Sequence, residues 1–372
     1  MRKVLCVIGT RPEAIKMAPV IRALKNSASF TTKVLATGQH TDMLKQALED
    51  FGIAPDFNLN IMRTAQSLDH ITSSVLAKTG DYLDTERHDF VLVHGDTSTT
   101  FAASLAAFYR KIPVAHVEAG LRSHDKYLPF PEEMNRVLTD RISEIFFAPT
   151  ENAAENLRNE NVNPEKIFVT GNTVIDALFE ILKILKLNHN TPEFMRELDN
   201  QPFVLMTAHR RESWGEPLLE ICAAVRDILA ARPDVKFLIP LHKNPLVRDV
   251  IKSELHDNLA NVIFTEPLNY PDFTFAMSKC KFILSDSGGV QEEASAIDKP
   301  VLIMRTLSER PEAIDHGTGV LVGTNRRIIR ETTLEILNNE AFLQKILSKN
   351  TKPFGNGTAS QKILSVLENY HA

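Results

Sequence analysis

The chain has 372 residues, of which 43% are hydrophobic and 24% are charged, and its formal net charge at pH 7 is −5. This length exceeds that of a typical single domain, so two domains are expected. The acidic balance, without any run of Lys and Arg, gives no field that would attract DNA or RNA. We therefore expect no nucleic-acid partner.

The sequence gives no targeting, membrane or metal-binding signal. Arg11 and Glu13 interrupt the first apolar run before a signal-peptide core is complete, and no run reaches the ~18 apolar residues of a membrane span. Cys6, Cys222 and Cys280 are too scattered for a disulfide framework or a zinc site. We expect buried thiols, a reducing cytoplasmic setting, no membrane partner and no metal.

Short apolar runs rich in β-branched residues alternate with longer segments of helical period. The first series is KVLCVIG, TKVLATG, FVLVHG, IPVAHVEAG, EIFFAPT and KIFVTG, and the second is FVLMTAH, KFLIPLH, NVIFTEP, KFILSD, KPVLIMR and TGVLVG. A polar stretch around residues 186–202 separates them. The pattern predicts an α/β fold with two Rossmann-like, doubly wound domains, each built on a parallel sheet.

An amphipathic helix is predicted at the end of the chain, after a Gly/Asn break and with no further strand. It either closes the second domain or crosses back to the first. We assign residues 1–180 to an N-terminal domain that is completed by residues 355–372, and residues 181–354 to a C-terminal domain. An active site is expected in the cleft between two such domains.

Carboxylates follow two predicted strands of the first series. Asp96 follows FVLVHG and Glu118 follows IPVAHV, and the ends of parallel strands border the ligand crevice. Asp96 either caps the next helix or faces a substrate, and Glu118 either satisfies loop backbone or joins Asp96. Glu132 and Glu133 either start a helix or fold over the same edge. Convergent carboxylates would repel one another and raise their pKa values, which suits proton transfer near neutral pH.

The segment GTRPEAIKMAPV follows the first predicted strand. Gly9 permits a tight turn, Pro12 suits the start of a helix, and Glu13 favours the positive end of the helix dipole. Arg11 and Lys16 are either solvated surface cations or two cations that face the crevice. Since no G-x-G-x-x-G motif follows this strand, a redox cofactor is not expected.

The segment FILSDSGGVQEEASAI predicts a strand, a glycine turn and a helix. Paired glycines at Gly288 and Gly289 let backbone N–H groups approach an anion, and the helix N-terminus favours a diphosphate. Ser287 adds a hydroxyl donor. The alternative is a short glycine turn without a ligand. Glu292 and Glu293 point to different faces, so one is expected to turn inward towards a ribose diol while its neighbour stays solvated.

Basic side chains follow the first two predicted strands of the second series. His209, Arg210 and Arg211 follow FVLMTA, where they either hold a loop by hydrogen bonds or contact a phosphate or sugar oxygen. His242 ends the next strand, and for this residue the structural role is the stronger alternative.

Seven motifs together resemble one known family. They are GTRPEAIKMAPV, HGDT with HVEAGLRS, PFPEEMNR, VTGNTVIDAL, AHRRES, DSGGVQEEA and SERPEA. In this order they are similar to the non-hydrolysing UDP-N-acetylglucosamine (UDP-GlcNAc) 2-epimerases of bacteria. The resemblance implies a glycosyltransferase-B type fold with the nucleotide sugar in the interdomain cleft. It also implies a homodimer with no cofactor or required metal, which interconverts UDP-GlcNAc and UDP-ManNAc for surface polysaccharide synthesis.

The resemblance also implies roles for individual residues. Asp96, Glu118 and Glu132 look like acid/base carboxylates, and His209 looks like the residue near the leaving phosphate. The residues that look like nucleotide contacts are Arg11, Lys16, Phe273, Ser287, Gly288, Gly289, Glu293 and Arg310, with Phe273 beside the uracil. The implied route eliminates UDP across C1 and C2 to give a 2-acetamidoglucal, and readdition inverts C2.

Three other functions compete with this one. A hydrolysing epimerase would release N-acetylmannosamine (ManNAc) and UDP, a UDP-sugar glycosyltransferase would leave C2 untouched, and a nucleotide-sugar sensor would keep Ser287 to Gly289 without needing Asp96 or Glu118. The acid/base carboxylates favour chemistry over sensing.

Regulated members of the family have a second nucleotide-sugar site, and this sequence matches it only in part. Its matching residues are Gln39, His40, Arg210 and His242. Asp42 and Ala65 depart from the pattern, since a glutamine and an arginine are usual there. These departures favour simple hyperbolic kinetics without activation by UDP-GlcNAc.

Overall fold

The computed structural model describes residues 1–38, 41–63, 66–188, 191–198, 201–256, 260–308 and 310–370. The chain divides into two compact units. One comprises Met1–Glu180 with Phe354–Ala372, and the other comprises Ile181–Pro353. Each unit contains one parallel β-sheet with helices between its strands, which confirms the predicted pair of Rossmann-like α/β domains.

The first unit alternates strands and helices along the chain. Its elements are β1 (Arg2–Ile8), α1 (Arg11–Asn26), β2 (Phe30–Ala36), α2 (Thr41–Asp50), β3 (Phe57–Asn58), α3 (Leu68–Thr85), β4 (Phe90–His94), α4 (Ser98–Tyr109), β5 (Val114–Val117), α5 (Glu132–Ile142), β6 (Ile145–Ala148), α6 (Glu151–Asn159), β7 (Ile167–Val169) and the start of α7 (Thr173–Asn188). The strand order is β3-β2-β1-β4-β5-β6-β7. All six predicted strands are present. The sequence missed β3, which has only two residues, both exposed.

The second unit repeats this arrangement. Its elements are α8 (Phe194–Glu197), β8 (Phe203–Thr207), α9 (Glu216–Ala231), β9 (Lys236–Pro240), α10 (Pro245–Leu255), β10 (Val262–Thr265), α11 (Tyr270–Lys279), β11 (Phe282–Ser285), α12 (Gly288–Ala296), β12 (Val301–Ile303), α13 (Pro311–Asp315), β13 (Gly319–Leu321), α14 (Arg326–Asn338) and α15 (Glu340–Ser348). The strand order is β10-β9-β8-β11-β12-β13, and the six predicted strands are all present.

The last helix, α16 (Ala359–Asn369), packs against α1 in the first unit. Its N-cap residue Thr358 makes no side-chain cap hydrogen bond. Asp176 on α7 takes over this role, because its carboxylate accepts hydrogen bonds from the backbone N–H groups of Ala359 at 3.1 Å and Ser360 at 2.8 Å. A carboxylate at this position satisfies helix donors that would otherwise lack partners.

The order of the strands places one crevice at the carboxyl edge of each sheet. In the first unit the chain leaves β1 on one side and returns to β4 on the other, and β8 and β11 have the same relation in the second unit. The loops after such strands diverge and open a binding crevice. They carry the segments 9–11 and 95–96 in the first unit, and 209–210 and 286–289 in the second.

Two further sequence predictions concern the cysteines and the membrane. Cys6, Cys222 and Cys280 are free and buried, as predicted, and burial raises the pKa of each thiol to about 12. Within the described ranges, no helix is both long and apolar enough to cross a membrane.

A substitution at Gly120, in the loop after β5, tests how tightly the first unit is packed around this residue. Its φ is +84°, and an added Cβ would lie 2.2 Å from the carbonyl oxygen of Ala153. Gly52 also has a positive φ, +64°, but an added Cβ there would meet nothing within 4 Å. We expect Gly52→Ala to lower the free energy of unfolding by about 1 kcal/mol and Gly120→Ala to lower it by about 3 kcal/mol or more. Urea unfolding of both variants measures this, and equal losses would contradict it.

Candidate functional site

Three carboxylates form the candidate site of the first unit, which we call the carboxylate cluster: Asp96, Glu118 and Glu132. Asp96 follows β4 and the left-handed Gly95, and Glu118 follows β5. A Cβ added to Gly95 would lie 3.7 Å from Glu118 Oε1, so the Glu118 carboxylate lies against the turn that carries Asp96. Glu132 is the half-buried first residue of α5.

Asp96 is held by α5 and does not cap α4. Arg136 donates to Asp96 Oδ2 from Nε at 3.2 Å and also from Nη2, while Asn135 Nδ2 donates to the Asp96 carbonyl oxygen at 3.0 Å. Thr97 is the N-cap of α4, and its side chain accepts from the Thr100 N–H. The structure therefore rejects the capping alternative, and it leaves the Asp96 side chain one-quarter exposed.

Glu118 is buried and held by two donors. Lys16 Nζ on α1 donates to Glu118 Oε2, and Asn172 Nδ2 donates to the same oxygen at 2.7 Å. The backbone φ of Glu118 is +66°, a conformation that costs energy for a residue with a side chain. His94 Nε2 lies 3.7 Å from Glu118 Oε2, and burial lowers the His94 pKa to about 3, so its imidazole is neutral.

Glu133 has a different role from its neighbour Glu132. It is buried, and its carboxylate accepts from the backbone N–H groups of Ser123 at 3.0 Å and His124 at 3.1 Å. Arg136 Nη1 donates to it at 3.0 Å. Glu133 therefore connects the loop before α5 to the helix, and Glu132 is the half-buried first residue of that helix.

The start of α1 is fixed by Glu13. Its buried carboxylate accepts from the Gly9 and Thr10 N–H groups and from the hydroxyls of Thr97 and Thr100. Burial raises the Glu13 pKa despite these hydrogen bonds. This capping box orients the helix turn that carries the half-buried Arg11.

The charges around the carboxylate cluster differ from the sequence-based expectation. Three convergent carboxylates were expected to repel one another and so to raise their pKa values. The structure instead gives Asp96 a cation in Arg136, and it gives Glu118 a cation in Lys16. These cations offset the repulsion among the acidic side chains, although Arg136 is shared with Glu133.

The second unit contains the glycine turn, which we define as Ser287–Gly289. Ser287 is the N-cap of α12, yet its side chain makes no cap hydrogen bond. A Cβ added to Gly289 would meet nothing within 4 Å, and at Gly288 the nearest atom would be Arg210 Nη2 at 3.9 Å. Neither packing nor a positive φ requires these glycines. The helix N-terminus is thus open to approach, with a guanidinium beside it, as an anion site needs.

His209 is oriented by Asp286, a residue to which the sequence analysis gave no role. Asp286 Oδ2 accepts from the backbone N–H groups of His209 and Arg210, both at 2.9 Å, and His209 Nδ1 lies 3.0 Å from Oδ1. Burial opposes ionisation of Asp286, but the His209 imidazole and these N–H donors hold its pKa below the usual range. With Nδ1 facing Asp286, the Nε2 atom of the partly exposed His209 remains for a ligand.

The sequence signal for Asp286 was a carboxylate directly after the buried strand β11. Asp286 was overlooked because the glycines that follow it already indicated an anion-binding turn. His242 lies beside the same site, with its ring centroid 6.3 Å from that of His209. Burial and the neighbouring His209 lower the His242 pKa.

The structure corrects the expectation for the two glutamates of α12. Glu292 is 1% exposed and pairs with Arg310, while Glu293 is 5% exposed and accepts from the Tyr270 hydroxyl at 2.6 Å. Neither is solvated, because partners from distant parts of the chain cover both faces of the helix. Their suggested nucleotide contacts stay predictions. Phe273 is half-buried in the first turn of α11, and its suggested contact with uracil also stays a prediction.

Part of the possible regulatory site lies outside the described residues, namely Gln39, His40 and the departing Ala65. Of its other members, Arg210 lies at the glycine turn and His242 beside His209. The match to a regulatory site therefore stays a prediction.

Comparison with known proteins identifies the family. The family model described as UDP-N-acetylglucosamine 2-epimerase matches residues 22–368. The chain belongs to this family. It is 47% identical to the UDP-N-acetylglucosamine 2-epimerase of Neisseria meningitidis serogroup A over 369 residues, which cover 98% of this chain and 99% of the relative. The family indicated by the sequence motifs is confirmed.

Solved structures of family members have the same fold. The Neisseria meningitidis UDP-GlcNAc 2-epimerase bound to UDP-GlcNAc matches with a TM-score of 0.92 and 46% identity, covering 99% of this chain and 100% of that one. The Staphylococcus aureus MnaA–UDP structure matches with a TM-score of 0.90 and 43% identity, covering 100% and 97%.

Asp286→Asn tests the electrostatic role of this carboxylate. A carboxylate with a lowered folded pKa stabilises the protein above its unfolded pKa of about 4, and the stabilisation is lost as pH falls through the folded pKa. At pH 7 we expect the variant to unfold more easily by about 1–3 kcal/mol. The gap should shrink in urea titrations below about pH 4.

The exposed Asp249 on α10 provides the matched control. Asp249→Asn should change stability by less than about 0.5 kcal/mol. A loss in Asp286→Asn that is independent of pH would contradict the electrostatic role.

Proposed function

We propose that the protein interconverts UDP-GlcNAc and UDP-ManNAc by reversible epimerisation at C2 of the sugar. The observation that carries this proposal is the pair of carboxylates at adjacent strand ends, the partly exposed Asp96 beside Arg136 and the buried Glu118 beside Lys16. Membership of the family supports the same substrate, since a relative of this chain has been solved with UDP-GlcNAc bound.

The nucleotide diphosphate is proposed to bind at the glycine turn. The open N-terminus of α12 offers backbone N–H donors and a favourable dipole, and Arg210 adds a guanidinium beside Gly288. His209 offers Nε2 because Asp286 engages Nδ1. These groups stabilise negative charge on a diphosphate, whether it is bound or leaving.

The reaction that fits these groups is an elimination. The C2 hydrogen of an N-acetylhexosamine is very weakly acidic, and direct removal would require strong charge stabilisation. When a carboxylate takes the C2 proton, the C2–H electron pair forms the C1–C2 double bond, and the C1–O bond breaks with its pair going to UDP. The 2-acetamidoglucal that results takes UDP back at C1 and a proton on the other face of C2. Proton transfer of this kind requires positioned acid and base groups.

The carboxylate cluster is proposed to supply both proton transfers. Glu118 is fixed by Lys16 and Asn172, and Asp96 by Arg136. Glu132 sits at the start of the helix that carries Arg136. Because the three residues come from different elements, they can address two faces of one sugar ring, as inversion of C2 requires.

Solvent exchange at C2 tests the proposal. Purified protein is incubated with UDP-GlcNAc in D2O without added cofactor, and the sugar is followed by NMR. We expect deuterium at C2 in both UDP-GlcNAc and UDP-ManNAc, because the proton removed is replaced from solvent. Free ManNAc with UDP would favour a hydrolysing epimerase. Absence of exchange would contradict both, and sugar transfer to an added acceptor with C2 unlabelled would favour a glycosyltransferase.

Two variants test whether the carboxylate cluster carries out the exchange at C2. Asp96→Asn and Glu118→Gln should each lower the exchange rate by about 10²–10⁴-fold while the protein still binds UDP. The exposed Asp81 on α3 provides the matched control, and Asp81→Asn should leave the rate unchanged.

We also propose that the protein is a homodimer that associates through the α4/α5 surface, defined as Phe108, Tyr109, Met134 and Leu138. These four side chains are exposed on two helices that pack against each other. Soluble monomers rarely leave several large apolar side chains exposed on neighbouring elements, so such a surface supports self-association.

Light scattering after size-exclusion chromatography tests the dimer. The unmodified protein should elute with twice the chain mass, and Phe108→Glu combined with Leu138→Glu should give monomers, because charges would be buried in the interface. Leu246→Glu, at an exposed position on α10 of the second unit, is the control and should remain dimeric. A monomeric unmodified protein would contradict the proposal.

A further inference from the structure

His116 on β5 is completely buried between helix α5 and the turn after β4. Its Nδ1 lies 2.6 Å from Asp140 Oδ1, and its Nε2 lies 2.7 Å from the carbonyl oxygen of Gly95. Gly95 directly precedes Asp96 of the carboxylate cluster. No role was assigned to His116 or Asp140 from the sequence, although both lie within the recognised motifs or next to them.

The partners of His116 fix the positions of its protons. A backbone carbonyl only accepts hydrogen bonds, and an ionised carboxylate also only accepts. Both ring nitrogens must therefore donate. We infer that His116 is a buried imidazolium that, together with Asp140, positions the turn carrying Asp96 for the proposed epimerisation. It is a positioning residue, since none of its surface is exposed to a substrate.

The surroundings of Asp140 support its ionised state. Its Oδ2 accepts from Arg122 Nη2 at 2.7 Å and from the Gly120 N–H at 3.2 Å. Burial opposes ionisation, yet the Asp140 pKa lies below its usual range, and of the groups that lower it Arg122 does so whatever the protonation of His116. A carboxylate that already accepts three hydrogen bonds does not need a proton of its own to satisfy its lone pairs.

The other charged groups around Asp140 balance one another. Arg122 bridges Asp140 and Glu160, and Arg141 Nη2 lies 3.8 Å from Glu160 Oε2. Two arginines therefore face two carboxylates, and the assignment of the imidazolium rests on the two acceptors that His116 contacts and not on a charge count. The nearby His94 is neutral, because burial lowers its pKa to about 3.

The pair links two members of the carboxylate cluster. His116 holds the Gly95 carbonyl, one residue before Asp96, and Asp140 holds the Gly120 N–H, two residues after Glu118. Both turns thus depend on one carboxylate of α5. A displacement of about 1 Å at a reacting group can cost about 10²-fold in rate, so the pair should affect turnover more than binding.

Nitrogen-15 NMR of the intact protein with labelled histidine tests the protonation state directly. We expect two protonated ring nitrogens for His116 at pH 7, because both of its hydrogen-bond partners are acceptors. His94 is the internal contrast and should show one protonated and one unprotonated nitrogen. The His116 signals are assigned by their loss in His116→Gln. An unprotonated nitrogen in His116 would overturn the inference, whatever the activity of the protein.

Asp140→Asn tests the positioning role, which rests on the proposed function. The amide has a similar shape but can donate to Nδ1, so the imidazolium signature should disappear. The kcat for epimerisation should fall by about 10–100-fold with a smaller change in KM. UDP affinity measured by calorimetry should be unchanged, because the glycine turn belongs to the second unit.

His88→Gln is the matched control. His88 is also buried, and its Nδ1 contacts the Glu86 carbonyl oxygen at 2.8 Å, outside the cluster. This variant should lose stability without losing kcat. An equal fall in kcat in His88→Gln and Asp140→Asn would assign the effect to general destabilisation and overturn the positioning role. An inactive unmodified protein would instead contradict the proposed function, while the NMR result would still stand.

Discussion

The buried carboxylate of Asp140 accepts hydrogen bonds from His116, Arg122 and the Gly120 N–H, and so joins α5 to the ends of two adjacent strands. The same helix holds Asp96 through Arg136. Asp96 and Glu118 lie in loops that follow strands, and a loop alone rarely positions a side chain as accurately as proton transfer requires. Helix α5 supplies fixed partners for both turns, Arg136 for Asp96 and Asp140 for the Gly120 N–H that follows Glu118.

The second unit uses the same principle with a different carboxylate. Asp286 follows β11, and it fixes the loop after β8 by accepting from two consecutive N–H groups and by facing His209 Nδ1. A buried carboxylate is costly unless several donors satisfy it, and once they do, its geometry is hard to change. In both units the aspartate supports the residue proposed for function without being exposed to a ligand itself.

The sequence predicted the sheets well, because buried parallel strands leave continuous apolar runs that local pattern reveals. It also placed Asp96 and Ser287 at strand ends, since that follows from the run boundaries. It could not decide between capping and substrate contact for Asp96, and it missed Asp140 and the burial of Glu292. Those properties depend on partners such as Arg136, His116 and Arg310, which lie 40, 24 and 18 residues away, and no local pattern identifies such partners.

The two sites differ in electrostatic character in a way that suits an elimination. Asp96 and Glu118 are carboxylates that each lie beside a cation, Arg136 and Lys16 respectively. The glycine turn has the opposite character, because the α12 N-terminus and Arg210 together favour an incoming anion. In the proposed reaction the proton leaves C2 as the C1–O electron pair goes to UDP. A base alone would leave the developing diphosphate charge unstabilised, and an anion site alone would leave C2 protonated, so the proposed reaction requires both kinds of group.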